Sequence, residues 1–153
     1  MKKYNVQNFV RFKNDVEDSL ILASKGKYSE RDTIIIENLE LVWSVAFSFS
    51  TSDQASGVLS INDLLQSGAE GLIYAVNRID WNLVEESEDP EKTLKSFLSK
   101  RIRGAIRREI DINRGNIRIP EYKLNEIRKS NGGDKKIVQM FFNSIFSSID
   151  IKY

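Results

Sequence analysis

The stretch from Thr93 to Arg108 constrains the fold of this chain more than any other. Its apolar residues recur at the three- and four-residue spacing of an amphipathic helix. The apolar side consists of Leu94, Leu98, Ile102, Ala105 and Ile106. The stretch also holds six basic residues and no acid. It therefore predicts a helix that buries one face in a core and presents a basic face to its surroundings.

The basic face of this helix carries more than charge. On a helical wheel, one continuous arc contains Thr93, Phe97, Lys100, Arg101, Gly104, Arg107 and Arg108. We call these seven residues the basic arc. Lysine and arginine neutralise phosphates, an aromatic ring stacks on an exposed base, and a glycine lets another backbone approach closely. The combination favours single-stranded or melting nucleic acid. The alternative is a face that only meets solvent, with Phe97 capping a neighbouring helix.

Charge is segregated along the chain, although the net charge is only +1. Six acids and no base lie between Asp80 and Glu91, and seven bases and no acid lie between Lys92 and Arg108. A switch of this kind steers a polyanion to one face of a protein and away from another.

Composition excludes several classes of chemistry. The chain has neither cysteine nor histidine. Ser-His-Asp and Cys-His catalysis and zinc sites built on Cys or His are therefore excluded. We expect no catalytic residue, no metal, no cofactor and no enzymatic activity. No apolar run is long enough to span a membrane, and the N-terminus lacks the apolar core of a signal peptide, so we expect a cytoplasmic protein without a membrane partner.

Helical spacing dominates the rest of the chain, and it predicts an all-α fold. Helices are expected over residues 5–24, 29–50, 60–79, 91–113, from Pro120 to about 131, and 134–148. Loops are expected over 51–59 and 81–91. Ser60 and Asp63 form a capping-box pattern at the start of the third helix. Gly68 and Gly71 are costly inside that helix unless a second helix packs very close to it.

Four segments, in order, resemble region 2 and the start of region 3 of bacterial sigma-70-class sigma factors. The run 63–80, DLLQSGAEGLIYAVNRID, is similar to the D-L-I-Q-E-G-x-x-G-L-x-x-A-V-x-x-F-D signature of that family. Residues 36–46 resemble its I-x-x-N-L-x-L-V-x-x-I-A segment. The runs 101–106, RIRGAI, and 117–120, IRIP, resemble the family's R-I-R-G-A-[IM] and I-R-I-P. The resemblance implies a sigma region 2-like helical bundle with a short region 3-like helix and a C-terminal helical tail.

The resemblance implies a polymerase-binding surface on the third helix. That surface would dock on the clamp helices of the β′ subunit of core RNA polymerase. The matching positions are Asp63, Gln66, Ser67, Ala69 and Ile73. The family usually has glutamate where this chain has Ser67.

The resemblance also implies a DNA-binding surface on the fourth and fifth helices. Phe97 matches the aromatic residue that captures a flipped adenine of the non-template strand, and Ser96 matches a threonine that supports the strand. Lys100 and Arg101 replace a tryptophan pair, so promoter melting here is expected to depend more on charge. Gly104 and Arg107 match positions that read the upstream edge of the −10 element. Further DNA contacts are expected from Arg103, Arg108, Arg118, Tyr122 and Asn125, of which Tyr122 and Asn125 match extended −10 contacts.

The implied division is a region 2-like domain over 1–113, a region 3-like helix over 114–131 and a hydrophobic tail over 132–153. We expect a compact alternative or phage-type sigma, used in late transcription, without a region 4. Its tail carries a loose sliding-clamp-binding pattern: Gln139, Phe142, Ile145 and Phe146. The tail would bind a sliding clamp or co-activator, bind the polymerase flap, or pack on its own domain.

The expected function is that of a sigma-like transcription initiation factor that binds core RNA polymerase and recognises and melts a −10-like promoter element. Two rivals stay open. A polymerase-binding decoy would block the resident sigma without melting DNA, and a generic helical module would bind nucleic acid without a polymerase partner.

Overall fold

The computed structural model describes residues 6–50, 57–129, 135, 136 and 139, and confirms the all-α prediction for them: their regular structure is helical. The helices in chain order are α1 (Val6–Ser24), α2 (Glu30–Glu37), α3 (Leu39–Ser50), α4 (Ile61–Val76), α5 (Trp81–Glu85), α6 (Pro90–Asn113) and α7 (Glu121–Lys129). Most of the helix predicted over 134–148 lies outside the described residues.

The core forms where α4 packs on α6, with α3 across them. Its largest fully buried side chains are Val42, Leu64, Leu72, Leu98, Ile102 and Ile106. Five of them come from the apolar sides that the helical spacing predicts for α4 and α6, and Val42 comes from α3. Burying a side chain of this size contributes about 1.5–3 kcal/mol, so this cluster accounts for much of the stability of the helix bundle.

Two glycines allow α4 to approach its neighbours closely. A methyl group built at Gly71 would lie 2.5 Å from the Cβ of Ala105 on α6. One built at Gly68 would lie 2.8 Å from Val42 Cγ1 on α3 and 3.1 Å from Ile106 Cδ1 on α6. All three distances are shorter than a carbon–carbon contact of about 3.5–4.0 Å. The sequence prediction that these glycines mark a close helix contact is therefore confirmed.

Capping interactions set the start of α4. The hydroxyl of Ser60 accepts a hydrogen bond from the Asp63 backbone N–H, and the Asp63 carboxylate accepts one from the Ser60 backbone N–H. This reciprocal capping box satisfies two N–H groups that the first turn would otherwise leave without partners.

The long second helix that the sequence predicts over 29–50 is divided in two. The break is at Asn38, which has φ −104° and ψ 8°. Its side-chain amide donates to the Ile34 carbonyl at 2.8 Å. Asparagine side chains compete in this way with the backbone hydrogen bonds of a helix, which explains the break. In addition, α2 buries none of its residues, so only α3 is central.

The sequence predicts a loop in the acidic segment, but α5 occupies the first part of that segment. The Asp80 carboxylate caps α5 by accepting from the Leu83 backbone N–H, and Val84 is buried. A local cap and one buried apolar side chain thus stabilise a single turn that has no long hydrophobic period. Asp89 then caps α6, which has Pro90 in its first turn, where the missing N–H of proline does no harm.

The end of α6 is held by the loop that precedes α4. Gly57 has φ +60°, and the Val58 N–H donates to the carbonyl of Arg114 at 2.9 Å. A Cβ at Gly57 would lie 1.9 Å from that carbonyl oxygen, so only glycine fits. Arg114 is buried, and this burial lowers the pKa of its guanidinium. Beyond it, Ile119 and Leu124 are buried and position α7.

Candidate nucleic-acid interface

Helix α6 presents most of the basic arc to its surroundings while its opposite side lies in the core. Leu98, Ile102, Ile106 and Ile110 are buried along one side. The exposed residues include Lys100, Arg101, Arg103, Gly104, Arg107 and Arg108. The two-faced helix that the wheel predicts is therefore the observed one, with Leu94 and Ala105 half-buried at its border.

The basic side chains on the C-terminal half of this stretch have no acidic partner in the described part of the chain. No carboxylate oxygen of the described residues forms an ion pair with Lys100, Arg101, Arg103, Arg107 or Arg108. Lys95 differs, because its ammonium donates to the Glu91 carboxylate at 2.5 Å, and this hydrogen bond raises the pKa of Lys95. The charge available to a polyanion is thus concentrated between residues 100 and 108.

Phe97 lies at the border between the basic arc and the core, and not wholly on the basic face as the wheel predicts. Its ring is half-buried and packs against the core cluster. The Arg101 guanidinium carbon lies 5.3 Å from the ring centroid. A benzyl side chain is long enough to reach back from its wheel position, and burying part of its apolar surface is favourable. A base that stacks on Phe97 has to displace Arg101 or share the ring with it.

Gly104 differs from the other helical glycines because nothing in the fold requires it. A Cβ built there meets no atom within 4 Å, and the residue is exposed. Glycine in a helix costs about 1 kcal/mol relative to alanine. The α6 backbone at Gly104 is therefore accessible to a ligand. No packing contact explains why the helix has a residue that lowers its stability at this position.

A groove of about 610 Å³ runs between α4 and α6. Four cationic side chains line it: Arg78, Lys100, Arg101 and Arg108. The α4 wall also includes Ser67, Glu70 and Tyr74. Gly71 and Ala105, where the two helices touch, lie along it as well. The close approach of the helices thus places part of the polar surface of α4 beside the basic arc.

The five residues assigned to polymerase binding fall on two neighbouring flanks of α4. Gln66, Ala69 and Ile73 lie a turn apart on one flank, and Ile73 is 39% exposed. Asp63 and Ser67 lie on the other flank. The Asp63 carboxylate is engaged in the capping box, and the Ser67 hydroxyl donates to the Asp63 carbonyl at 3.0 Å. Ser67 is half-buried and lines the groove, so it borders the basic arc as well.

The remaining DNA-binding candidates lie on accessible surface. Ser96, Arg118, Tyr122 and Asn125 are all exposed, and the ammonium of Lys123 lies 5.6 Å from the Tyr122 ring centroid. Of the tail candidates, Gln139 is exposed, whereas Phe142, Ile145 and Phe146 lie outside the described residues.

Sequence reasoning missed Tyr74 and Arg78 as members of this surface. Tyr74 is 59% exposed, and both residues line the groove. Their four-residue spacing places them on one face of a helix, but nothing in the sequence shows which helix faces them. The sequence also did not predict the contact of Arg31, whose Nε donates a hydrogen bond to the Asn77 side chain at 2.6 Å. This hydrogen bond connects α2 to the end of α4.

Among the described residues, no group of three or more acidic side chains is arranged to hold a metal ion. Within the same ranges, no helix combines the length and apolarity needed to cross a bilayer.

No protein-family model matches the chain. A search of curated proteins also yields no match.

Proposed function

We propose that this protein is a sigma-like transcription initiation factor that binds core RNA polymerase through α4 and opens promoter DNA through α6. The observation that supports the proposal is the basic arc itself. Lys100, Arg101 and Arg108 have no acidic partner among the described residues, and they line one groove together with the bare backbone of Gly104. A surface of this kind suits an irregular, partly single-stranded polyanion.

The energetics of base capture agree with this surface. Extruding a base from a duplex costs a few kcal/mol. Stacking on an aromatic ring offsets about 1–3 kcal/mol of that, and Phe97 is the aromatic residue of the arc. Phosphate contacts from the neighbouring cations then hold the displaced non-template strand. Because Phe97 is half-buried, we expect charge to contribute more to melting than stacking does.

The polymerase contact is proposed for the outer flank of α4. Gln66, Ala69 and Ile73 lie there, and the exposed Ile73 offers an apolar contact beside polar groups. Because α4 packs directly on α6, a polymerase bound to α4 would hold the basic arc next to its own DNA channel.

Run-off transcription tests the proposal. Purified core RNA polymerase is supplied with a library of promoter fragments, with and without the protein. Transcripts that start downstream of a shared −10-like motif, only when the protein is present, are the expected result. Absence of initiation on every fragment, with intact protein and active polymerase, would refute it.

A polymerase-binding decoy is the second candidate, and one observation favours it. Phe97 packs partly on the core, and Arg101 covers its ring, so a purely structural role accounts for the residue. A decoy would bind core polymerase and suppress transcription by the resident sigma. Its binding and its suppression would not change in Phe97→Leu, which retains the apolar contact and lacks the ring.

A further inference from the structure

Tyr74 and Glu70 form the most exposed part of the α4 wall of the groove. They lie one turn apart on the same face of the helix. In the described part of the chain, the Tyr74 ring has no aromatic or cationic neighbour, and the Glu70 carboxylate has no hydrogen bond or ion pair. Neither residue belongs to the polymerase-binding set or to the basic arc.

The groove has the size and the chemistry to hold a nucleotide. Its volume of about 610 Å³ is within the usual range for small-ligand sites. Tyr74 presents a ring on one wall, and Gly104 on the other wall leaves space because it has no side chain. Arg78 and Arg108 line the same groove and supply cations for the phosphates. Aromatic rings flanked by cations are the usual means of holding an unpaired base.

Two carboxylates, Glu70 and Glu109, line the groove, and a carboxylate repels the phosphates that the cations attract. Glu109 accepts a hydrogen bond from the Asn113 side-chain amide at 2.7 Å. Glu70 has no such partner among the described residues and needs an explanation. It is compatible with a nucleic acid only if it meets a base edge and not the backbone. An ionised carboxylate only accepts hydrogen bonds. Guanine offers two adjacent donors on one edge, its N1–H and its N2 amino group, and both can donate to one carboxylate. Thymine offers one N–H between two carbonyl oxygens, which a carboxylate repels.

We propose that the groove between α4 and α6 is a nucleotide subsite in which Tyr74 stacks on an unpaired guanine and Glu70 accepts hydrogen bonds from the guanine N1 and N2. The inference deepens the proposed function and rests on it only for the choice of single-stranded DNA as the ligand.

Fluorescence anisotropy with the 153-residue chain alone tests the subsite. The probes are labelled oligothymidylates, one uniform and one with a single central guanine. We expect the guanine probe to bind about tenfold more tightly. Tyr74→Ala should lose about tenfold on the guanine probe, whereas Tyr74→Phe should retain its binding. Glu70→Gln should remove the guanine preference and bind the uniform probe at least as well as the wild type.

Two substitutions outside the groove are the matched controls. Tyr28→Ala removes another exposed tyrosine, and Glu37→Gln neutralises another exposed glutamate. Both should bind the two probes as the wild type does. Equal affinity for the two probes, absence of binding, or an equal loss in Tyr28→Ala and Tyr74→Ala would overturn the inference.

The outcome is independent of the transcription test. Initiation by a protein that binds both probes equally would overturn the subsite and leave the proposed function standing. A guanine preference that depends on Tyr74 and Glu70, in a protein that initiates no transcription, would support the subsite and refute the proposed function.

Discussion

The contact between α4 and α6 predicts that the glycine at position 71 and the alanine at position 105 can exchange places. A methyl group at Gly71 would lie 2.5 Å from the Ala105 Cβ, but its next neighbours, the Arg101 carbonyl oxygen and the Ile102 Cα, are both at 3.6 Å. The clash therefore involves one methyl group, and Ala105→Gly removes it. The remaining contacts are of ordinary van der Waals length.

The expected changes in the free energy of unfolding follow from two opposing contributions, helix propensity and steric overlap. Gly71→Ala gains about 1 kcal/mol of helix propensity. Overpacking of the kind seen here costs about 1–3 kcal/mol, and the short distance places it at the upper end. We expect a net loss of about 1–2 kcal/mol. Ala105→Gly loses about 1 kcal/mol of propensity and part of a half-buried methyl group. In the double variant the propensity terms cancel and the clash is absent.

Urea unfolding of the wild type and the three variants measures the coupling. We expect the double variant to lie within about 0.5 kcal/mol of the wild type, so the coupling free energy is about 2–3 kcal/mol. Gly104→Ala on the same helix, where no contact is made, measures the propensity term separately. Additive losses, with the double variant as unstable as the sum of the single ones, would show that the two helices do not meet at this point.

Four further predictions concern the loop contact and the basic arc. Gly57→Ala should lower the free energy of unfolding by about 2 kcal/mol or more in thermal denaturation, because its φ is positive and its Cβ would overlap a carbonyl oxygen. Phe97→Ala should weaken binding to a single-stranded −10 oligonucleotide about fivefold or more, without loss of core polymerase binding. Replacing Lys100 and Arg101 with alanine should reduce the slope of log K against log salt for that oligonucleotide by about 1.4. Gly104→Ala should raise the free energy of unfolding by up to about 1 kcal/mol and still weaken DNA binding.

Each of these predictions has an outcome that contradicts it. A Gly57→Ala variant as stable as the wild type would show that Gly57 does not contact the end of α6. Equal losses of DNA and polymerase binding in Phe97→Ala would contradict a role of Phe97 in base capture. Phe97→Leu, which retains the apolar contact, separates that role from a loss of packing. An unchanged salt slope would mean that Lys100 and Arg101 do not meet phosphates. Unchanged DNA binding in Gly104→Ala would show that no ligand backbone approaches there.

Local sequence signals predicted the helices best where a cap and an apolar period coincide. The start of α4 has the Ser60–Asp63 capping box, and α6 lies between Pro90 and Asn113 close to the predicted range. Prediction was poorer where one side chain decides the outcome. The Asn38 amide divides one apolar run into two helices, and the Asp80 cap forms a helical turn in an acidic stretch. Each effect depends on a single hydrogen bond, and the spacing of apolar residues carries no information on such bonds.

The same limit of prediction from sequence applies to the basic arc. The wheel correctly separated the buried from the exposed side of α6, because that separation depends only on the helix period. It placed Phe97 wholly among the cations, whereas the ring reaches back to the core and lies under Arg101. A wheel represents a side chain by its direction from the axis and has no information on its length or neighbours.

The sequence by itself determined the all-α class, the two-faced basic helix and the need for a close contact at Gly68 and Gly71, because each follows from helix period, charge order and side-chain size. The tertiary structure alone decided which helix meets those glycines and what lies beside it. Since α6 fits against α4 at Gly71, Tyr74 and Arg78 line the groove that Lys100 and Arg108 also line. Residues distant in the chain become one surface only through the separation and crossing of two packed helices.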